Sequence, residues 1–210
     1  MTAPIFDNAS GETWNGSTGS FTHACNVSAG GIAIGIIHAQ GGLTAGNCTF
    51  DGASLIELHL SDRLWIGFLL LPNIGTKNVV FGFTGGGQKA YTFLTISFAR
   101  QEAPTILGAS SDFSHDAYGG GAVGANDMAV AGANANNVDN FDSRTGGYIQ
   151  RATWSWATNY IAGVDTLVGA AGNCYYDWLS NQNCASFGLQ IKDYIPVSGT
   201  PVSSTPILMI

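Results

Sequence analysis

The stretch from Arg63 to Gly87, RLWIGFLLLPNIGTKNVVFGFTGGG, limits the fold of this chain more than any other. Leu64 to Leu71 is an unbroken apolar run of eight residues, the pattern of a strand covered on both faces. It is far short of the ~20 residues a membrane-spanning helix needs. Pro72 closes the run and a polar segment follows to Asn78. Val79, Phe81 and Phe83 then alternate with Val80, Gly82 and Thr84, the period of a strand with one wet face. The expectation is strand, turn, strand: a hairpin at the centre of an all-β core.

Other segments repeat this grammar. Gly31 to Ala39 is a second strand apolar on both faces. Asp51-Gly52 joins Cys48–Phe50 to Ala53–Leu60, a strong hairpin signal that puts Ile56, Leu58 and Leu60 on one face. Ala90–Arg100, Tyr148–Tyr160 and Ala185–Tyr194 alternate, and Asp127–Ala133 reads as a short strand. The Gly-, Ser- and Asp-rich tract Gly108–Asn126 and the Asn-rich tract Asn134–Gly147 read as loops. Sustained helical periodicity is missing, so about eight to ten strands are expected, in a single β-sandwich of jelly-roll type. Residues 1–17 read as an N-terminal arm, 18–195 as the sandwich domain and 196–210 as a C-terminal arm. The expected core comprises Ile34, Ile36, Leu58, Trp65, Phe68, Val79, Phe81, Leu94, Ile96, Trp154, Leu189 and Ile191.

Charge narrows the function classes. Charged residues make up 10% of the 210, against a usual share of about 25%. Such a surface is covered by neutral polar groups or by partner subunits. Seven Lys plus Arg against fourteen Asp plus Glu leave a net charge of −7 without a basic cluster, which argues against nucleic-acid binding. The opening MTAPIFDNASGETWNG has neither a basic n-region nor an apolar h-region, so a secretory signal is not expected. Cys25, Cys48, Cys174 and Cys184 permit two disulfides, most simply 25 with 48 and 174 with 184; the alternative is four buried thiols.

Three segments together resemble a β-sandwich module found in phage structural proteins and some bacterial surface proteins: NCTFDGASLIEL around Asp51-Gly52, Leu64–Leu69 with its Pro-x-x-Gly-Thr connection to Asn78–Phe81, and Ala152-Thr153-Trp154-Ser155-Trp156. The resemblance spans about residues 20 to 194 and consists of core and turn positions. It implies a virion or surface context and carries no catalytic residue.

Candidate chemistry is sparse. His23, His38 and His59 fall within expected strands and read as packed residues, while Asp112, His115 and Asp116 cluster in an expected loop and could serve a cation or acid–base pair. Asn137, Asp139 and Asp142, with Asn134, Asn136 and Asn140 beside them, are candidate calcium ligands out of EF-hand order. Tyr175, Tyr176 and Trp178 form a candidate glycan platform. No Ser stands in G-x-S-x-G and no carboxylate pair is singled out, so an enzyme is not expected and no cofactor is assigned. Ile5, Phe6, Ile207, Leu208, Met209 and Ile210 are the candidate partner-binding residues. The resulting expectation is a capsid decoration or cement protein of a bacteriophage virion, made in the host cytoplasm. It would assemble as a homo-oligomer, with a trimer as the expected unit, on a major capsid or other virion protein. The alternatives are a carbohydrate-binding adhesin, a tail or fibre module, or a filament-forming subunit on an extracellular surface.

Overall fold

The computed structural model describes residues 1–14, 16–85, 87–138, 141–156 and 160–196, with the side chains of 115 and 156 outside the description. The described residues form fifteen strands and no helix, arranged in three antiparallel sheets. One sheet has the order β1-β9-β3-β7-β6, built from β1 (Ile5–Trp14), β9 (Lys89–Ser97), β3 (Ile32–Ala39), β7 (Leu64–Leu70) and β6 (Ile56–Leu60). A second has the order β2-β8-β4-β5, from β2 (Thr18–Cys25), β8 (Gly75–Gly85), β4 (Leu43–Phe50) and β5 (Ala53–Ser54). The third runs β10-β15-β11-β14-β13, from β10 (Thr105–Gly120), β15 (Asn173–Ile191), β11 (Met128–Asn136), β14 (Tyr160–Val168) and β13 (Ile149–Trp156), with β12 (Ser143–Thr145) also paired to β15.

Strands apolar on both faces dictate this layering. In β3, Ile32, Ile34 and Ile36 pack with Met128, Val130, Val164, Phe187, Leu189 and Ile191 of the third sheet. The intervening Ala33, Ile37 and Ala39 pack with Cys48, Phe50, Val79 and Phe81 of the second. The first sheet is therefore the middle layer, and every residue of β3 and β9 is buried. Where one sandwich would have two sheets, three are present, because a sheet without a wet face must be covered twice. Ten of the twelve expected core residues are buried, and Leu58 and Trp154 are partly buried against core clusters.

Several expectations are corrected. β7 and β8 do not form a hairpin: β7 pairs with β3 and β6, β8 with β2 and β4. The connection Leu71–Ile74 crosses between layers, with Leu71 at a left-handed φ of 51° before a proline that has no N–H to donate to a ladder. The Asp-Gly turn does form, with φ of 51° and 80°, but its hairpin holds only Thr49↔Ser54 and Phe50↔Ala53. Leu55 is buried at the corner into β6, and Ile56 is 60% exposed rather than inward. The expected N-terminal arm contributes β1, an edge strand paired with β9 from Ile5↔Ser97 to Trp14↔Lys89. Its half-buried, polar sequence has no period, because a strand at a sheet edge needs few apolar anchors. Most of the expected loop Gly108–Asn126 lies in the sixteen-residue strand β10.

The β10–β15 ribbon turns a corner. Ser114 pairs with Gln182 but Asp116 with Asp177, so residues 178–181 bulge out of β15. Beyond the corner the ribbon folds back over the outer face of its own sheet. A Cβ added to Gly119 would stand 2.8 Å from the Phe187 carbonyl and 2.9 Å from that of Gly132. The fold-back encloses Ala131, Ala133, Ala135, Phe141, Cys174, Tyr176 and Trp178.

Candidate functional site

Most candidates from the sequence are absorbed into packing. Tyr176 and Trp178 are 0% and 1% exposed beneath the fold-back, so two of the three residues of the expected glycan platform are core elements, while half-buried Tyr175 packs at a tilt against exposed Tyr118. Trp178 Nε1 donates to the Ser114 carbonyl, which fastens the corner. Buried Asn134 donates to the Tyr160 hydroxyl at 2.8 Å and to the Ala39 carbonyl at 3.3 Å, and Asn136 to the Gln40 carbonyl, tying the third sheet to the middle one. Asn137 donates to Gln182, Asp142 is exposed, and Asp139 and Asn140 lie outside the described residues. Among the described residues no group of three or more His, Cys, Asp or Glu could hold a metal ion. Asp112 accepts from the Phe113 N–H and Asp116 from the Ser114 hydroxyl, in a strand rather than a loop; the His115 side chain lies outside the described residues.

The four cysteines are buried free thiols. Cys25 pairs opposite Gly75 and Cys48 opposite Phe81, six residues apart along β8. That is roughly 20 Å, against an upper Cα separation of about 7 Å for a disulfide. Cys174 and Cys184 sit on the same strand, on either side of the corner. Burial pushes the Cys174 thiol up to about 11, away from thiolate reactivity.

Two polar networks were not legible beforehand. In the first, His23 Nδ1 lies 3.0 Å from Ser10 Oγ and Nε2 2.8 Å from Thr95 Oγ1, whose hydroxyl donates to Asp7 Oδ2 at 2.7 Å. Ser10, a histidine and a carboxylate in series have the outline of an activated nucleophile. Burial, however, holds His23 down to about 4, the wrong range for a general base at neutral pH. The network instead joins β1, β2 and β9. In the second, Arg144 of β12 pairs with Asp165 of β14 at 3.1 Å, and the Tyr176 hydroxyl donates to the same carboxylate at 2.5 Å. Arg144 also covers the Phe141 ring and donates to Thr153. Burial raises the Asp165 carboxyl, with Arg144 and then Tyr176 pulling it back. The available signal was Asp165 itself, a carboxylate inside the apolar run Ile161–Val168 of a chain with little charge. An open groove of about 300 Å³ lies outside this ion pair, lined by Asp142, Ser143, Gln150 and Thr153 among others.

One end of the molecule gathers exposed apolar residues. Thr2 and Tyr194 exchange backbone hydrogen bonds at 3.0 and 3.1 Å, so the N-terminal residues and the chain leaving β15 meet there. Ala29 and Gly30 of the β2–β3 connection accept from Phe98 and Ala99, and Phe98 packs edge-on to Tyr194. Around this junction Ile5 is 54%, Leu71 67%, Ile74 65% and Ile195 50% exposed. A groove of about 310 Å³ runs between Val27, Gly31, Leu71, Pro72 and Ile74. Of the expected partner-binding residues, Ile5 belongs to this end, Phe6 lies partly buried beneath the Arg151 guanidinium, and Ile207 to Ile210 lie outside the described residues. No helix among the described residues is long and apolar enough to cross a membrane. No protein-family model, curated protein or solved structure matches the chain.

Proposed function

We propose that this chain is a non-enzymatic structural subunit of a large assembly, a bacteriophage capsid decoration or cement protein in which a sandwich of jelly-roll type is extended by a third sheet. The observation that carries this reading is the apolar end, where Ile5, Leu71, Ile74 and Ile195 stand exposed on a surface with only 10% charged residues in the chain. Apolar clusters of this kind on soluble proteins mark contact surfaces, each Å² covered returning about 25 cal/mol. The resemblance to phage structural modules points the same way. A homotrimer is the proposed unit, since heterologous contacts that do not close make filaments. Light scattering of the full chain against the chain lacking residues 197–210 tests the proposal. A multimer that falls to monomer on truncation supports it; an unchanged monomer of 21.8 kDa in both cases refutes it.

A second reading, a carbohydrate-binding adhesin or fibre module, rests on the polar groove beside Gln150 and Thr153. Glycan-array binding abolished by Gln150→Ala would promote it over the structural reading.

A further inference from the structure

We infer that the groove between Val27, Gly31, Leu71, Pro72 and Ile74 receives the apolar segment Ile207-Leu208-Met209-Ile210 of a second copy of this chain, an inference that rests on the assembly reading above. The groove is apolar on its floor and on its rim, because Leu71 and Ile74 project on the crossover that carries the chain from the middle sheet to the second one. Leu71 is held outward by its left-handed backbone, at φ 51°, which a branched side chain adopts only when its surroundings impose it. No ionisable side chain lines the groove. Its complement is therefore aliphatic, and the four-residue run Ile207–Ile210 is such a segment.

Chain exit and reach select the copy. The chain leaves the described structure beside the groove: a Cβ on Gly30, which also lines it, would stand 2.5 Å from the Tyr194 ring. Ten residues, VSGTPVSSTP, separate Pro196 from Ile207, and Pro201 and Pro206 lie among them. Ten residues reach at most roughly 33–36 Å when fully drawn out. That reach exceeds the radius of a chain of this size, roughly 17 Å, and in the proposed assembly it brings the segment to an adjoining copy. It suits the groove of a neighbour whose same end faces this one. Each copy then gives one segment and takes one, which closes a ring when the rotation between copies closes.

The test is a cross-link. In the full chain carrying both Ile74→Cys and Leu208→Cys, mild oxidation should give a ladder of disulfide-linked chains on a non-reducing gel, absent from either single variant. The native thiols, 0–2% exposed, do not compete. A link found by peptide mass within single chains overturns the second copy as occupant, and the absence of any link overturns the groove. The unmodified chain's mass in solution separates the two claims. A multimer without cross-links leaves the assembly reading standing and removes this inference, whereas a monomer at every concentration removes both. As a second arm, Ile74→Asp, a change at an exposed position, should weaken self-association on the order of tenfold or more; unchanged association contradicts the proposal.

Discussion

The two faces of the β10-β15-β11-β14-β13 sheet are buried by different means. Toward the middle layer, Met128, Val130, Val164, Phe187, Leu189 and Ile191 fill space with large side chains. On the outward face, Ala131, Ala133 and Ala135 leave the room that the folded-back ribbon needs, and Gly119 and Gly188 let its backbone approach. The outward face is also polar at its centre, where Arg144, Asp165 and Tyr176 meet. Non-directional burial suffices where sheet meets sheet across a broad surface. A narrow ribbon over small residues gains less area, and the ion pair with its hydrogen bonds fixes where it lies.

The largest loss of stability is expected at the ion pair. Asp165→Ala leaves Arg144, partly buried, without its carboxylate and should cost about 3 kcal/mol in urea unfolding. The double replacement Arg144→Met/Asp165→Leu should recover most of that loss, and a double variant as unstable as the single would show that the pair contributes more than mutual compensation. On the inward face Leu189→Ala should cost about 2–4 kcal/mol by cavity formation alone, with the outward face intact. A Cβ at position 188 meets the Gly120 backbone of the fold-back. Gly188→Ala should therefore cost about 1–3 kcal/mol by overpacking and raise hydrogen exchange in residues 116–120 and 173–177 before the rest. Exchange that rises equally in β3 would deny that the fold-back is a separate unit.

The smallest effect concerns pH. Burial holds His23 down to about 4 and His38 to about 3, and His38 has no hydrogen-bond partner on either ring nitrogen among the described residues. Both stay neutral in the folded chain while the unfolded chain protonates near 6.5. Their contribution is therefore complete above about pH 6.5 and is lost as pH falls toward 4. Thermal melts should show this decline, and His38→Leu should make it shallower by up to about 1.4 kcal/mol per pH unit. An identical slope in the variant would contradict the burial of a neutral ring.

How much of this was legible follows from how locally each feature is encoded. The central strands of the middle sheet were, because β3 and β7 show apolar residues on both faces in consecutive sequence. Their partners were not: an Asp-Gly turn and a Pro-containing connection look alike as hairpin signals, yet Pro72 leads into another sheet. β1 and β10 were hidden because edge strands tolerate Gly, Ser, Asn and Asp, the residues that also make loops. Trp178 and Tyr176 read as a surface platform because nothing in the sequence announces that the ribbon folds over them. The exposed apolar end was legible in part: Ile5 belongs to it, but Leu71 and Ile74 became visible only once the crossover was placed.

Assembly through the apolar end is tested by a negative-stain image of the purified full chain. Closed particles of uniform size, a ring of three being the expected form, are the predicted result. Isolated particles the size of a single 21.8 kDa chain would contradict the assembly, and open filaments would contradict its closure.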